Sequence, residues 1–359
     1  MAEEEVKVHH DTYKCPNCGA SMHYDPESRS LKCDYCEHVI KLQDEKSSEE
    51  LDFNSAEKEN DLSWQQENHV FKCQECGAET VVKKTEMSIK CPFCGSNQVL
   101  ESEELSGIKP NRVIPFNIND EKAKNQYQAF LKKKLFVPSK VKKMTIDCIP
   151  QGTYIPSWTY DTDTFSTYKG RLGEYYYVTV GSGKDKRTER RTRYFSIHGT
   201  NTTFFDDILI NSGTAISGKE LSKLEPYNTN NSNVFSESFL AGFSAEHYHL
   251  TVQNGFNQAK EKMAPVIRSN ILKKYTYDVV DYLNVSTSYN DITYKYVLLP
   301  VYIGNFNYRE KKYRFLVNGE TGKTTGKYPL SPLRITIFST IMLIILAAII
   351  IIVYFVYFK

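Results

Sequence analysis

Eight cysteines between residues 15 and 94 stand in four Cys-x-x-Cys pairs: Cys15 and Cys18, Cys33 and Cys36, Cys73 and Cys76, Cys91 and Cys94. Fourteen residues lie between Cys18 and Cys33, and fourteen between Cys76 and Cys91. The second set of four repeats the first at an offset of 58 (15 to 73, 18 to 76, 33 to 91, 36 to 94). The flanks repeat as well: Lys14–Ala20 reads KCPNCGA and Lys72–Ala78 reads KCQECGA. One small module has been duplicated.

Thiolates at this spacing suit a tetrahedral zinc ion. Two short knuckles, about 12–20 residues apart, can deliver four sulfurs at about 2.3 Å. Two residues between cysteines let the chain turn so that both sulfurs face one ion. Gly19, Gly77 and Gly95 follow the second cysteine of their pairs, where glycine accepts positive φ; Glu37 takes that place after Cys36. The stretch between knuckles has room for a hairpin. The reading is two structural Zn2+ ions in two zinc ribbons, held by Cys15, Cys18, Cys33, Cys36 and by Cys73, Cys76, Cys91, Cys94. Disulfides would need an oxidising compartment, and a thioredoxin-like redox pair would need a βαβ context. Four thiolates leave no open position for water, so neither zinc is expected to be catalytic. A ribbon of about 25 residues buries too little to fold alone, and metal binding supplies the missing energy.

The elements around these modules are read from pattern. The chain has 359 residues, net charge +2, 40% apolar residues, 25 Tyr and 19 Phe. No global field favours nucleic acid or membrane, and the aromatic content favours sheet. Residues 1–11 form a polar tail with His9 and His10, unlike a signal peptide. Ribbon 1 spans 12–40 and ribbon 2 spans 69–100. Between them, 41–68 is acidic and poor in apolar residues, a flexible linker that would leave the ribbons independent, with Trp64 as a dock onto ribbon 2. The stretch 105–328 reads as α+β with antiparallel sheet, and its lone Cys148 as a core residue.

Within that stretch Asp120 is a helix-capping candidate. Ala123, Tyr127, Phe130, Leu131 and Leu135 follow at helical spacing, ended by Pro138. Eight lysines and no acid occur from Lys122 to Lys143, a solvated face or a contact for anionic lipid. From Ile146 to about Ile210 the pattern is strand-like, with strands at Tyr175–Val180 and Tyr194–Thr203, and strands resume at Tyr294–Tyr302 and Tyr313–Val317. The charged run Lys184–Arg193 should be an exposed hairpin loop. A helix over 253–275 should be kinked or split by Pro265. Residues 333–358 include a 24-residue uncharged run, Ile335–Phe358, long enough to span the bilayer's hydrocarbon core. Lys323, Lys327 and Arg334 precede it and Lys359 follows, so the positive-inside rule puts the preceding domains in the cytoplasm, held by a C-terminal tail anchor.

Two further motifs invite chemistry. Asn318–Thr324 reads NGETGKT, but a phosphate loop ending at Gly322-Lys323-Thr324 needs glycine at 317, where Val317 stands. Turns account for it better. Glu246, His247 and His249 contain a His-x-His pair with no third ligand evident. Nucleophile elbow and dinucleotide fingerprint are both missing, so the chain is not expected to be an enzyme.

The CPxCG-type knuckles, GTYIPSWTYD (152–161), LPVY (299–302) and YRFLVNGETGKTTGKYP (313–329) together resemble a bacterial family of zinc-ribbon membrane proteins, the YdjG-like proteins. Such proteins are often labelled TFIIB-type zinc-ribbon proteins or, by transfer, primosomal-helicase-like; no ATP-binding loop supports the second label. The resemblance implies a membrane platform in an envelope-stress module, beside SPFH-domain and PspA-like proteins and a sister membrane protein. Charge separates two functions. From Lys14 to Glu37 three basic residues face four acidic ones; from Lys72 to Cys94 four lysines face three glutamates. Ribbons for nucleic acid should be basic. The expectation is therefore a membrane-anchored adaptor whose cytosolic domains bind proteins. The alternative is a membrane-tethered nucleic-acid-binding ribbon protein.

Overall fold

Strands fall into three groups along the chain. The first holds β1 (Met22–Asp25), β2 (Ser30–Cys33), β3 (Val39–Lys41) and β4 (Leu51–Asp52). The second holds β5 (Asn68–Lys72), β6 (Glu79–Lys83), β7 (Ser88–Lys90), β8 (Asn97–Val99) and β9 (Ser102–Glu104). The third opens with β10 (Arg112–Val113), helices α1 (Asp120–Lys133) and α2 (Ser139–Lys143), β11 (Gln151–Val180), β12 (Arg187–Phe205) and β13 (Ile210–Asn211). It continues through α3 (Gly218–Leu224), β14 (Asn233–Val234), β15 (Ser244–Glu246), α4 (Val252–Leu272), β16 (Val279–Tyr308), β17 (Lys311–Asn318) and β18 (Thr324–Gly326), and ends in α5 (Pro332–Tyr357). This computed structural model describes residues 13–42, 45–47, 49–56, 68–83, 88–93, 96–99, 102–104, 107–143 and 150–357. The polar tail with His9 and His10, Trp64, Cys94 and Cys148 lie outside them.

The scaffold is β11 paired antiparallel with β16, from Gln151 opposite Ile303 to Gly173 opposite Val279. Its base is buried on both faces: Thr153–Thr162 and Tyr294–Gly304 expose almost nothing. That is why LPVY reads as an unbroken apolar run, and GTYIPSWTY as an aromatic-rich one interrupted only by the small polar Thr153, Ser157 and Thr159, themselves buried. Farther out the two strands and β12 form a ribbon, and β11 alternates: Thr164, Ser166, Tyr168 and Gly170 are buried, Phe165, Thr167, Lys169 and Arg171 exposed. Helix α4 covers the buried face with Val252, Phe256, Ala259, Met263, Ile267 and Ile271, spaced three or four apart. Gly255 permits the approach, since a Cβ there would sit 2.3 Å from the Tyr160 hydroxyl. The strand-like reading of 146–210 is met from Gln151 onward by β11, β12 and β13, while β16 starts at Val279, well before the Tyr294 expected from pattern. Lys184–Arg193 is not all loop: Arg187 onward belongs to β12, where tyrosines and threonines of β11 supply the pairing.

Pro265 does not split α4, which continues through it to Leu272. Proline removes only one backbone donor, and this one stands on the exposed side. The cap of helix α1 stands one residue before the expected one. The Asn119 side chain accepts from the Lys122 N–H at 2.8 Å, and Asp120 is the first helical residue. Ala123, Tyr127 and Leu131 face inward, Tyr127 stacking on Phe315 at 3.9 Å between ring centroids. Leu135 lies past the helix and is exposed.

The stretch 41–68 is more than a flexible linker. Residues 45–47 run against 232–234 through Val234 N–H to Glu45 O (2.8 Å) and Ser47 N–H to Ser232 O (3.3 Å), and β4 pairs with β16. Its acids serve buried cations. Lys295, 2% exposed, places Nζ 3.1 Å from Glu50 and 2.8 Å from Asp207. Buried Arg112 donates to Ser47 Oγ (2.9 Å) and Glu49 O (2.6 Å). An unpaired ammonium at such a depth costs several kcal/mol, so the segment is held where those cations need it. Ribbon 1 is likewise not independent. Tyr24 packs on Phe239 and Phe243, and its hydroxyl donates to Phe116 O at 3.3 Å. Through β6, which pairs with β15, ribbon 2 continues the central sheet.

Asp161 gives this network a pH signature. Burial, and then the neighbouring Glu50, push its pKa from 3.8 up to about 8. Between about pH 4 and pH 8 the folded chain keeps a proton that the unfolded chain releases, so stability falls as pH rises through that window. An Asp161→Asn chain has no such proton and can still accept the Asp207 N–H seen at 2.8 Å. Its melting temperature should gain on wild type steadily as pH rises toward 8. Parallel melting curves across that range would contradict this placement of the charge.

Candidate metal centres

The duplication seen in the sequence is a duplication of structure. At the same offset of 58, β2 maps onto β7 and β3 onto β8, and each of these pairs is antiparallel. The bridge between Lys14 and Ser21 recurs as Lys72 opposite Glu79. In each leading knuckle the cysteine N–H donates to the alanine carbonyl five residues on, Cys15 to Ala20 at 2.7 Å and Cys73 to Ala78 at 2.9 Å. The turn closes with Gly19 N–H to Cys15 O and Gly77 N–H to Cys73 O, both 2.8 Å. Gly19 and Gly77 adopt φ of 75° and 73°. Glu37, in the same place after Cys36, adopts φ 58° and donates to Cys33 O at 3.0 Å. The turn is thus kept without glycine, at the strain a left-handed side-chain residue brings.

These turns aim the sulfurs together. In ribbon 1 the Sγ atoms of Cys15, Cys18, Cys33 and Cys36 all lie within 4.8 Å of one another. Cys15 and Cys36 are 3.4 Å apart, Cys18 and Cys33 3.5 Å. In ribbon 2, Cys73, Cys76 and Cys91 form the matching group, with Cys76 and Cys91 3.7 Å apart; Cys94 is outside the described residues. A tetrahedron with bonds of about 2.3 Å has sulfur–sulfur edges of about 3.8 Å. A disulfide bond would be about 2.05 Å. The spacing therefore fits a shared cation, and none of the seven described ribbon cysteines is joined in a disulfide. Cys15, Cys33, Cys73 and Cys91 are buried, while Cys18 and Cys76 reach the surface.

A search of curated proteins then places the whole chain. It is 30% identical over 329 residues to YdjG of Bacillus subtilis (strain 168), an uncharacterized protein, covering 89% of this chain and 90% of that one. The chain belongs to the YdjG family. No protein-family model matches it, and no solved structure matches it.

The metal groups of this YdjG-family chain are primed for a cation. A backbone hydrogen bond at His38, then the neighbouring thiols, draw Cys36 down to about 6. Cys18 is pushed up to about 12; the Ala20 backbone bond lowers it, but burial and three neighbouring sulfurs outweigh that. Burial opposes ionisation of Cys73, yet Ser96 and the backbone around Glu75 and Cys76 bring it down to about 6. Sulfurs this close cannot all be anionic without a positive charge among them, and a bound dication permits all of them to be. Four ligands complete the shell around such an ion, so its contribution is to fix the fold of each ribbon.

The other motifs hold structure together. His249 Nε2 stands 3.2 Å from Glu79 Oε2, tying β6 to the segment after β15, and the His247 ring stacks on Tyr248. Buried Glu246, raised to about 7 by its desolvation, accepts the Thr214 and Ala215 N–H groups at 2.5 and 2.7 Å. Asn318–Thr324 is the turn from β17 to β18: Gly322 N–H donates to Asn318 O at 2.8 Å, and Asn318 Oδ1 accepts from Glu320 and Thr321. Pattern reading missed the Glu49–Glu50 clasp, because its partners Arg112 and Lys295 lie far along the chain and carry no local mark.

Helix α5 differs in kind from α4. Its described side chains expose Leu, Ile, Val and Phe all round, and Pro332–Tyr354 is long and apolar enough to cross a membrane. At about 1.5 Å per residue it exceeds the hydrocarbon thickness of about 30 Å.

Proposed function

We propose that this protein is a membrane-anchored adaptor with two structural zinc ions, whose folded body faces the cytoplasm and binds protein partners. The observation that carries this is the open face of the β11–β12 ribbon. There Phe165, Tyr177, Tyr194 and Phe204 are exposed. Arg171 lies over the Tyr194 ring at 4.8 Å and Arg190 over Tyr175 at 4.3 Å. Tyrosine, phenylalanine and arginine in a stripe are what protein interfaces concentrate, and free monomers rarely expose so much aromatic surface. Residues 184–193 carry six basic side chains against Asp185 and Glu189, which favours an acidic partner.

Closed sulfur shells support a scaffold and not a reaction centre. Sulfur donors in tetrahedral array support zinc. The basic residues before α5 support the cytoplasmic orientation. The partners proposed are SPFH-domain or PspA-like proteins of an envelope-stress module, with a sister membrane protein. Because arginines alternating with tyrosines also suit single-stranded nucleic acid, the test must separate the two. Crosslinking the full chain in native membranes should recover an SPFH-domain or PspA-like protein, and Arg190→Glu with Tyr177→Ser should abolish it. Equal recovery by both chains would remove the ribbon from the interface. Salt-sensitive capture of nucleic acid by wild type alone would replace the adaptor reading.

A further inference from the structure

The corner between α1 and α2 is clasped to the foot of α5. Ser331 N–H donates to Phe136 O at 2.8 Å, and Arg334 Nη1 donates to Leu135 O at 3.0 Å. The other Arg334 amino group bonds the Ser139 hydroxyl. Phe136 meets Phe338 edge to face, with centroids 5.4 Å apart. Four contacts therefore fix this corner against the first two turns of the apolar helix. Where α5 enters a membrane, the corner has to sit at the headgroup level.

Its side chains suit that level. Leu135, Leu330 and Leu333 are 58%, 56% and 70% exposed around the clasp, an apolar rim with no protein covering it. Lys132, Lys133, Lys140 and Lys143 are exposed beside it. Among the described residues none of these four lysines pairs with a carboxylate, and no acid occurs in the sequence from 122 to 143. The lysine at the far end of α1 behaves differently: Lys122 pairs with Glu27 at 2.9 Å. Cations left unpaired beside exposed leucines, at the entrance of a membrane helix, match the division of the interface into acyl chains and phosphates.

We propose that this corner is a lipid-binding collar, in which Lys132, Lys133, Lys140 and Lys143 hold the phosphate groups of anionic phospholipids in the leaflet that α5 enters. It rests on the reading of α5 as a membrane span. The collar would fix the rotation and depth of the body over the bilayer, which one helix alone leaves free. Each lysine near an anionic surface is worth up to about a fivefold preference, less in salt.

The test uses the full chain, purified in mild detergent with equal amounts of phosphatidylglycerol and phosphatidylcholine, then washed and its retained lipid quantified by mass spectrometry. Wild type should retain phosphatidylglycerol in several-fold excess, undiminished by added glycerol phosphate. The variant Lys132→Gln, Lys133→Gln, Lys140→Gln, Lys143→Gln should retain the two lipids equally while keeping wild-type metal content. Equal retention by wild type, or an unchanged excess in the variant, would overturn the collar. So would an acidic polypeptide that leaves native preparations of the variant while its lipid excess persists. Alkaline carbonate extraction of both chains from membranes separates the underlying reading: resistance of both leaves the span intact whatever the lipid result, and release of wild type defeats span and collar together.

Discussion

A Cys33→Ser chain is expected to bind one metal ion in place of two and to lose stability well beyond ribbon 1. Cys33 ends β2, is completely buried and supplies one of four clustered sulfurs. Apparent metal-binding energies in small zinc modules run to about 10–16 kcal/mol, as large as the stability of a whole domain, about 5–15 kcal/mol. Without its metal, ribbon 1 has little left to order β1. Tyr24 stands in β1, and its ring is part of the aromatic cluster with Phe239 and Phe243, where Phe116 and Phe243 stack at 4.1 Å. Each such ring pair is worth about 0.5–1.5 kcal/mol. Hydrogen exchange should therefore rise in 13–42 and also around Phe116 and Phe243. Exchange confined to 13–42 would mean that the ribbons are independent modules after all.

Removing residues 333–359 is expected to move nearly all of the protein from the membrane to the soluble fraction in high salt, with both metal ions still bound. The apolar surface of α5 is unburied and belongs to no protein core, so its loss takes from the body the Phe136–Phe338 contact and the Arg334 bonds to Leu135 and Ser139, all far from the metal groups in sequence. What stays is the lysine corner, whose attraction is screened over about 10 Å at 0.1 M salt. Some binding to anionic membranes should survive in low salt and disappear in the wash. Retention after the wash would require another anchor. Loss of metal on truncation would show that the helix supports the ribbons, which its contacts give no reason to expect.

The metal groups were legible because their information is local. Ligand type, the two-residue knuckle and the glycine after it are all within a few residues, and a repeat at 58 doubles the signal. Even the departure at Glu37 showed in the sequence, and the structure gives it the same left-handed φ as the glycines. The apolar helix was legible for the same reason. The sheet was legible only in outline. Runs such as LPVY mark strands buried on both faces, whereas the outer ribbon mixes polar, small and aromatic residues on both of its faces, and nothing local says that β11 and β16 each continue for 30 residues. The acidic stretch misled because composition reports average polarity. Whether a glutamate faces water or a buried lysine 245 residues later, as Glu50 faces Lys295, depends on the finished fold.

The doubled ribbon architecture leaves one quantity that everything else depends on. Metal analysis of the purified full-length chain, with free thiols titrated on the same sample, measures it directly. Two zinc ions per chain and no disulfides are expected, with eight thiols released for titration only when a chelator removes the metal. One ion per chain, or cysteines that stay unreactive under chelation until a reductant is added, would contradict it.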